Sequence, residues 1–198
     1  LSFLFLSTLA IADKKPPIID YKSISHPVIG SKGMVVSQRE IASRVGADIL
    51  SKGGNAVDAA VATSFALAVV LPRAGNLGGG GFMLIHLEQE GKTVAIDYRE
   101  RAPLSASRDM FLDSNGNYDK TKARFSLLSA GVPGTVAGMK FALDNYGSMS
   151  WEEVIQPAID LAEGFVVPHD LSSVTNSYKA RLQRNLATKK AYYKKSGD

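Results

Sequence analysis

The side chains best suited to chemistry fall between positions 72 and 103. Pro72-Arg73-Ala74-Gly75-Asn76-Leu77-Gly78-Gly79-Gly80-Gly81-Phe82 carries four consecutive glycines. Such a run weakens any regular element and makes sense where the backbone needs positive φ or approaches another segment closely. A phosphate-cradling loop would continue into Lys-Ser or Lys-Thr and then a helix. Here Phe82 and a strand-like run follow, which argues against nucleotide binding and for a tight crossing of helix and strand. Asp97-Tyr98-Arg99-Glu100-Arg101-Ala102-Pro103 closes a second strand-like run, and strand ends that open into loops often carry function. Arginine grips a carboxylate with two parallel N–H···O bonds and stays charged at any working pH. Arg99 is thus a candidate carboxylate clamp, although Glu100 and Arg101 also read as plain surface charges.

Other chemistries lack their residues. His26, His86 and His169 are far apart, without metal-ligand spacing, and no HExxH occurs. His86 reads as a packed core or face residue within a strand. There is no GxSxG elbow. The absence of cysteine removes disulfides, thiolate zinc sites and a cysteine nucleophile. From side-chain chemistry alone, no reaction follows.

The elements that must position these residues are legible in outline. The 198 residues suffice for one domain with a sizeable core, and 45% hydrophobic with 21% charged residues is ordinary for a globular protein. The net charge of +4 is uneven: residues 179–198 hold seven basic side chains and one acid. That segment reads as a solvated helix face and not a nucleic-acid contact, because no aromatic residues interleave with basic ones elsewhere. Residues 1–12, LSFLFLSTLAIA, form an apolar run ending in small-x-small, the pattern of part of a signal peptide cleaved after Ala12. The run is too short to span a bilayer. A periplasmic or secreted location is expected, and no membrane span.

Residues 13–33 read as an extended lead-in, and Met34-Val35-Val36 as a short strand. Ser37 with Glu40 fits a capping box, followed by Ile41, Val45 and Ile49 at helical spacing up to Gly53-Gly54. Asn55 caps a second helix, apolar on all sides, that ends at Pro72, with Asp58 at its third position. Phe82–Leu87 and Thr93–Tyr98 form a hairpin turning at Gly91. Residues 99–130 look irregular, with a turn at 113–117. A helix runs from Pro133 to Gly147. Ser150 and Glu153 make another capping box, and Pro157 divides the helix behind it into two pieces. A last helix starts near His169 and leads into the basic tail. Two or three strands are an incomplete sheet, so further strands are expected downstream of Asp198. Both ends of the sequence read as cuts.

The text Gly53-Gly54-Asn55-Ala56-Val57-Asp58-Ala59-Ala60-Val61-Ala62, Ala74-Gly75-Asn76-Leu77-Gly78-Gly79-Gly80-Gly81-Phe82-Met83, Ala95-Ile96-Asp97-Tyr98-Arg99-Glu100 and Ala130-Gly131-Val132-Pro133-Gly134-Thr135-Val136-Ala137-Gly138 resembles the gamma-glutamyltranspeptidase family in content, order and spacing. The likeness runs from about Val35 to the end and corresponds to the N-terminal part of the family's large subunit, residues 34–198. It implies an α+β fold of the N-terminal-nucleophile hydrolase type, an α-β-β-α sandwich of which only a helix-rich N-terminal portion is present. It implies a precursor that cleaves itself into a large and a small subunit, forming a heterodimer. The new N-terminal Thr of the small subunit, outside this chain, attacks the gamma-glutamyl amide of glutathione with its own α-amino group as base. Backbone N–H groups of the small subunit stabilise the oxyanion. The gamma-glutamyl group then passes to water or an amino acid, without cofactor or metal.

By resemblance, Arg99 matches the arginine that grips the α-carboxylate of the gamma-glutamyl group, and Glu100 its supporting neighbour. The family's Thr-Thr-His-type processing motif does not occur, so the chain alone is expected to be inactive. Three alternatives stay open: a related acylase acting on a cephalosporin or poly-gamma-glutamate, a periplasmic solute-binding module, and a truncated, non-functional product.

Overall fold

The computed structural model describes residues 28–193. The chain divides between Lys32 and Gly33, and all elements below belong to the unit that begins at Gly33. The expected signal peptide and most of the lead-in lie outside the described residues.

Helix α1 spans Glu40–Ser51 and α2 spans Ala56–Val70. Between them Gly53 adopts φ 97, while the N–H groups of Gly53 and Gly54 bond back to Leu50 O and Ile49 O. A left-handed residue after the last turn is how helices commonly close, and it suits glycine. Asn55 caps α2 as expected: its Oδ1 accepts from the N–H of Val57 and Asp58, and Asp58 Oδ2 accepts from Asn55 N at 2.7 Å. The apolar character of α2 serves three partners, because α1, α4 and α5 all pack on it.

Strands β1, Phe82–Leu87, and β2, Lys92–Asp97, pair antiparallel with Phe82 opposite Asp97 and Leu87 opposite Lys92. The turn is one 3₁₀ turn, Glu88–Glu90, closed by Gly91 in the left-handed region. Met83, Ile85, Val94 and Ile96 face the core. Phe82 and Leu84, on the other face, are 67% and 76% exposed. His86 shares that outer face and bonds Thr93 Oγ1 and Glu88 Oε2.

After an irregular stretch come α3, Lys120–Phe125, and α4, Thr135–Tyr146. Helix α5 spans Trp151–Glu163, and α6, α7 and α8 span His169–Ser177, Lys179–Leu182 and Leu186–Tyr192. The core joins Ile49, Val57, Val61, Ile85, Ile96, Met139 and Val154. Among the described residues no helix is long and apolar enough to cross a membrane.

The structure corrects five expectations. Met34–Val36 is not a strand; among the described residues no strand pairs with it, and Met34 and Val36 are exposed. Ser37 does not cap α1. Its hydroxyl bonds Arg39 O and Ser43 Oγ, and Arg39 takes the cap position without a side-chain bond. Arg39 instead reaches across to α6, where its two terminal nitrogens meet Asp170 Oδ1 and Oδ2 at 2.8 and 2.7 Å. Pro157 does not divide α5. A proline inside a helix forfeits one N–H bond, but Val154 and Ala158 on either side are buried and hold the helix against α2. The single last helix is three short ones. The irregular region contains α3, capped by Asp119 Oδ1, which accepts from Thr121 N and Lys122 N. The turn at 113–117 is as expected, with Asp113 Oδ1 accepting from Asn115 N and Asn117 N.

Candidate functional site

The segment Tyr98–Arg101 continues β2 beyond its last paired residue and is held from two sides. On one side lies the glycine run: Tyr98 N donates to Gly81 O at 3.0 Å and Gly81 N to Tyr98 O at 3.4 Å. On the other lies the loop before α4: Arg101 N donates to Val132 O at 3.1 Å and Val132 N to Arg101 O at 2.8 Å. The two flanking loops also meet each other, because Gly79 O accepts from the N–H of Gly134 and Thr135 at the start of α4. These bonds use donors that a helix start otherwise leaves unpaired.

This clasp explains Gly80, Gly134 and Gly138. A Cβ on Gly80 would come within 2.5 Å of Tyr98 O and 2.7 Å of Glu100 Oε2. A Cβ on Gly134 would collide with Tyr98 O, and one on Gly138 with the root of the Tyr98 ring. None of Gly78 to Gly81 has positive φ. Close approach is the reason that operates at Gly80 and Gly81, both set against the Tyr98–Glu100 segment. The Tyr98 ring lies between Gly81 and Gly138, and its burial raises the pKa of its hydroxyl above the ordinary tyrosine value.

Alternation along this extended segment sends Glu100 inward, against Gly80 and Gly131, and leaves Arg99 outward. Arg99 Nη2 stands 3.2 Å from Glu100 Oε1, and the two side chains are 61% and 32% exposed. An ion pair this open adds under about 1 kcal/mol to stability; its effect is to limit the directions the guanidinium takes. The Arg99 backbone is pinned as well, its N–H donating to Asp97 Oδ1 at 3.0 Å. Arg99 faces an open cavity of ≈ 580 Å³ between β2 and α4, also lined by Asp97, Arg101, Val132, Pro133 and Phe141. That size suits a small peptide. A guanidinium at the rim of a largely apolar hollow can hold one carboxylate of such a ligand.

The two site residues singled out from the sequence are therefore neighbours in one constellation. Sequence reasoning gave no structural role to Tyr98 or to the Gly131–Gly138 stretch, whose part is to hold the Tyr98–Arg101 segment in place. It also left Arg101 as a surface charge, although the i, i+2 spacing from Arg99 puts both on one side of an extended segment.

The family profile described as gamma-glutamyltranspeptidase matches residues 42–198. The glutathione hydrolase proenzyme of Escherichia coli (strain K12) is 50% identical over 193 residues, covering 96% of this chain and 33% of that protein. The acylase ACY 1 proenzyme of Pseudomonas sp. (strain V22) is 41% identical over 177 residues, covering 86% of this chain and 32% of that one. The crystal structure of Helicobacter pylori gamma-glutamyltranspeptidase superposes with a TM-score of 0.82 at 44% identity, over 86% of this chain and 49% of that one. The chain thus spans about a third of the length of the curated relatives it matches. With the profile matching most of the chain and half of its residues shared with a curated relative, this chain belongs to the gamma-glutamyltranspeptidase family.

Proposed function

We propose that this chain is part of an exported enzyme that cleaves the gamma-glutamyl amide of glutathione and related compounds and passes the gamma-glutamyl group to water or an amino acid. Family membership and the glutathione hydrolase relatives support the reaction class. The observation that carries the local role is the placement of Arg99, pinned through its backbone and through Glu100 at the rim of a cavity fit for a small peptide. In this reading Arg99 holds the α-carboxylate of the donor and Glu100 orients it. The nucleophile is an N-terminal Thr outside this chain, exposed when the precursor cleaves itself into two subunits. The complete fold is the α-β-β-α sandwich of N-terminal-nucleophile hydrolases. The apolar run at 1–12, with its small-x-small end, supports export. The chain alone is inactive in this reading. No cofactor and no metal takes part.

In the full-length precursor, Arg99→Gln is expected to lower kcat/KM for gamma-glutamyl donors by about 10- to 150-fold. That corresponds to about 1.5–3 kcal/mol for hydrogen bonds to a charged group. The loss should fall mainly on KM, and self-cleavage, followed as two bands on a denaturing gel, should continue. Unchanged donor kinetics would remove Arg99 from the site. The acylase relative keeps a second reading in view. Turnover of a cephalosporin side chain in preference to glutathione by the wild-type enzyme would select it.

A further inference from the structure

We propose that Arg101 provides a second carboxylate position in the Arg99 cavity, which makes the site favour gamma-glutamyl donors whose leaving group itself carries a carboxylate. The inference rests on the proposed function and deepens it by naming the donor class.

Asp97, Arg99 and Arg101 alternate with Tyr98 and Glu100 along one extended segment, and all three outer residues line the same cavity. A strand rise of about 3.3 Å per residue sets the Arg99 and Arg101 Cα atoms about 6.6 Å apart. Both backbones are fixed, Arg99 by the Asp97 side chain and Arg101 by its reciprocal pair with Val132. Arg99 has Glu100 as partner, whereas the Arg101 guanidinium has no ion pair among the described residues. Asp97 is the sole acid among the lining residues, and its Oδ1 already accepts the Arg99 N–H. The rest of the lining is mostly apolar, with Val132, Pro133 and Phe141 among it.

The cavity lining therefore carries two guanidinium groups and one carboxylate, and with Glu100 engaged on Arg99, Arg101 is the guanidinium left without an ion pair among the described residues. Like charges this close repel each other, and a ligand with a single carboxylate at Arg99 leaves the second charge uncompensated. A small gamma-glutamyl peptide brings two carboxylates: one on the gamma-glutamyl group and one at the end of the leaving group. The cavity volume admits such a peptide lying along β2. Fork-shaped donors on both arginines would then fix its direction as well as its position.

The test compares two donors in the full-length processed enzyme: glutathione, which has the second carboxylate, and a gamma-glutamyl anilide, which does not. Arg101→Met keeps the apolar stem and removes the charge. The ratio of kcat/KM for glutathione over the anilide is expected to fall by about five- to tenfold. Arg101→Lys should restore part of it. Raising the salt concentration should reduce the wild-type ratio and leave the Arg101→Met ratio nearly flat. A ratio unchanged by Arg101→Met overturns the inference, and so does an equal loss on both donors. In either case an Arg99→Gln effect on both donors would leave the underlying reading standing. A wild-type enzyme that turns over neither donor overturns both.

Discussion

Gly134→Ala is expected to destabilise the protein by about 3 kcal/mol or more and to raise KM for gamma-glutamyl donors in the fraction that still folds. Gly78→Ala, in the four-glycine run itself, should leave stability within about 0.5 kcal/mol. The contrast follows from what each new methyl group would meet. Gly134 has φ −115 and ψ −12, a conformation open to any residue, so backbone strain plays no part. The cost is steric: the Cβ would collide with Tyr98 O and lie 2.8 Å from Tyr98 C, backbone atoms with no rotamer to move into. The segment can yield only by leaving Gly81 and Val132, whose hydrogen bonds hold it. Arg99 would move with it, which on the proposed reading couples the stability defect to donor binding. At Gly78 the sole neighbour within 4 Å is Asn76 Oδ1 at 3.8 Å, an ordinary contact. Urea unfolding of the two full-length variants beside the wild type reads the difference directly. A Gly134→Ala midpoint equal to that of Gly78→Ala would refute the clasp as the reason for these glycines.

The parts of this fold legible in the sequence are those set by near neighbours. Asn55 and Asp58 satisfy each other's backbone three residues apart, so the start of α2 follows from four letters. The hairpin is equally local, with two alternating runs and a glycine where left-handed φ is needed. What misled was decided at a distance. Ser37 and Glu40 spell a cap, but Arg39 between them is drawn 131 residues along the chain to Asp170, and the Ser37 hydroxyl turns to Arg39 O and Ser43. Pro157 reads as a break because the local rule counts the lost hydrogen bond and not the burial of Val154 and Ala158. The same division runs through the site. Arg99 is legible as a candidate from its residue type and its place at a strand end. The clasp is not, because it needs two glycine-bearing loops, more than 50 residues apart in the chain, to close on one strand.

Asp58→Asn should cost about 2–4 kcal/mol although it preserves shape and volume. The Asp58 side chain is fully buried, at 0% exposure, yet it has no cationic partner among the described residues. Its charge is compensated by donors alone. Oδ2 accepts from Asn55 N at 2.7 Å and Ser148 Oγ at 2.6 Å, and Oδ1 from Ser148 N at 2.9 Å and Met149 N at 3.2 Å. The carboxylate thus ties the start of α2 to the loop between α4 and α5, around which the core is built. An amide offers one acceptor oxygen, and in either orientation its NH₂ would face a backbone N–H. Burial by itself pushes the Asp58 carboxyl pKa up; the Ser148 hydroxyl and the N–H groups of Asn55, Ser148 and Met149 outweigh it and hold the value below the ordinary one. The unfolded chain therefore takes up this proton at a higher pH than the folded protein does. The stabilisation is complete above the ordinary carboxylate pKa of about 4, and it is lost as pH falls through the lower folded-state value. Wild type should lose stability steeply below about pH 4, and Asp58→Asn, weaker at pH 7, should show a shallower slope there. Urea midpoints measured from pH 3 to pH 7 decide the point. Parallel curves for the two proteins would mean that another carboxylate governs the acid transition.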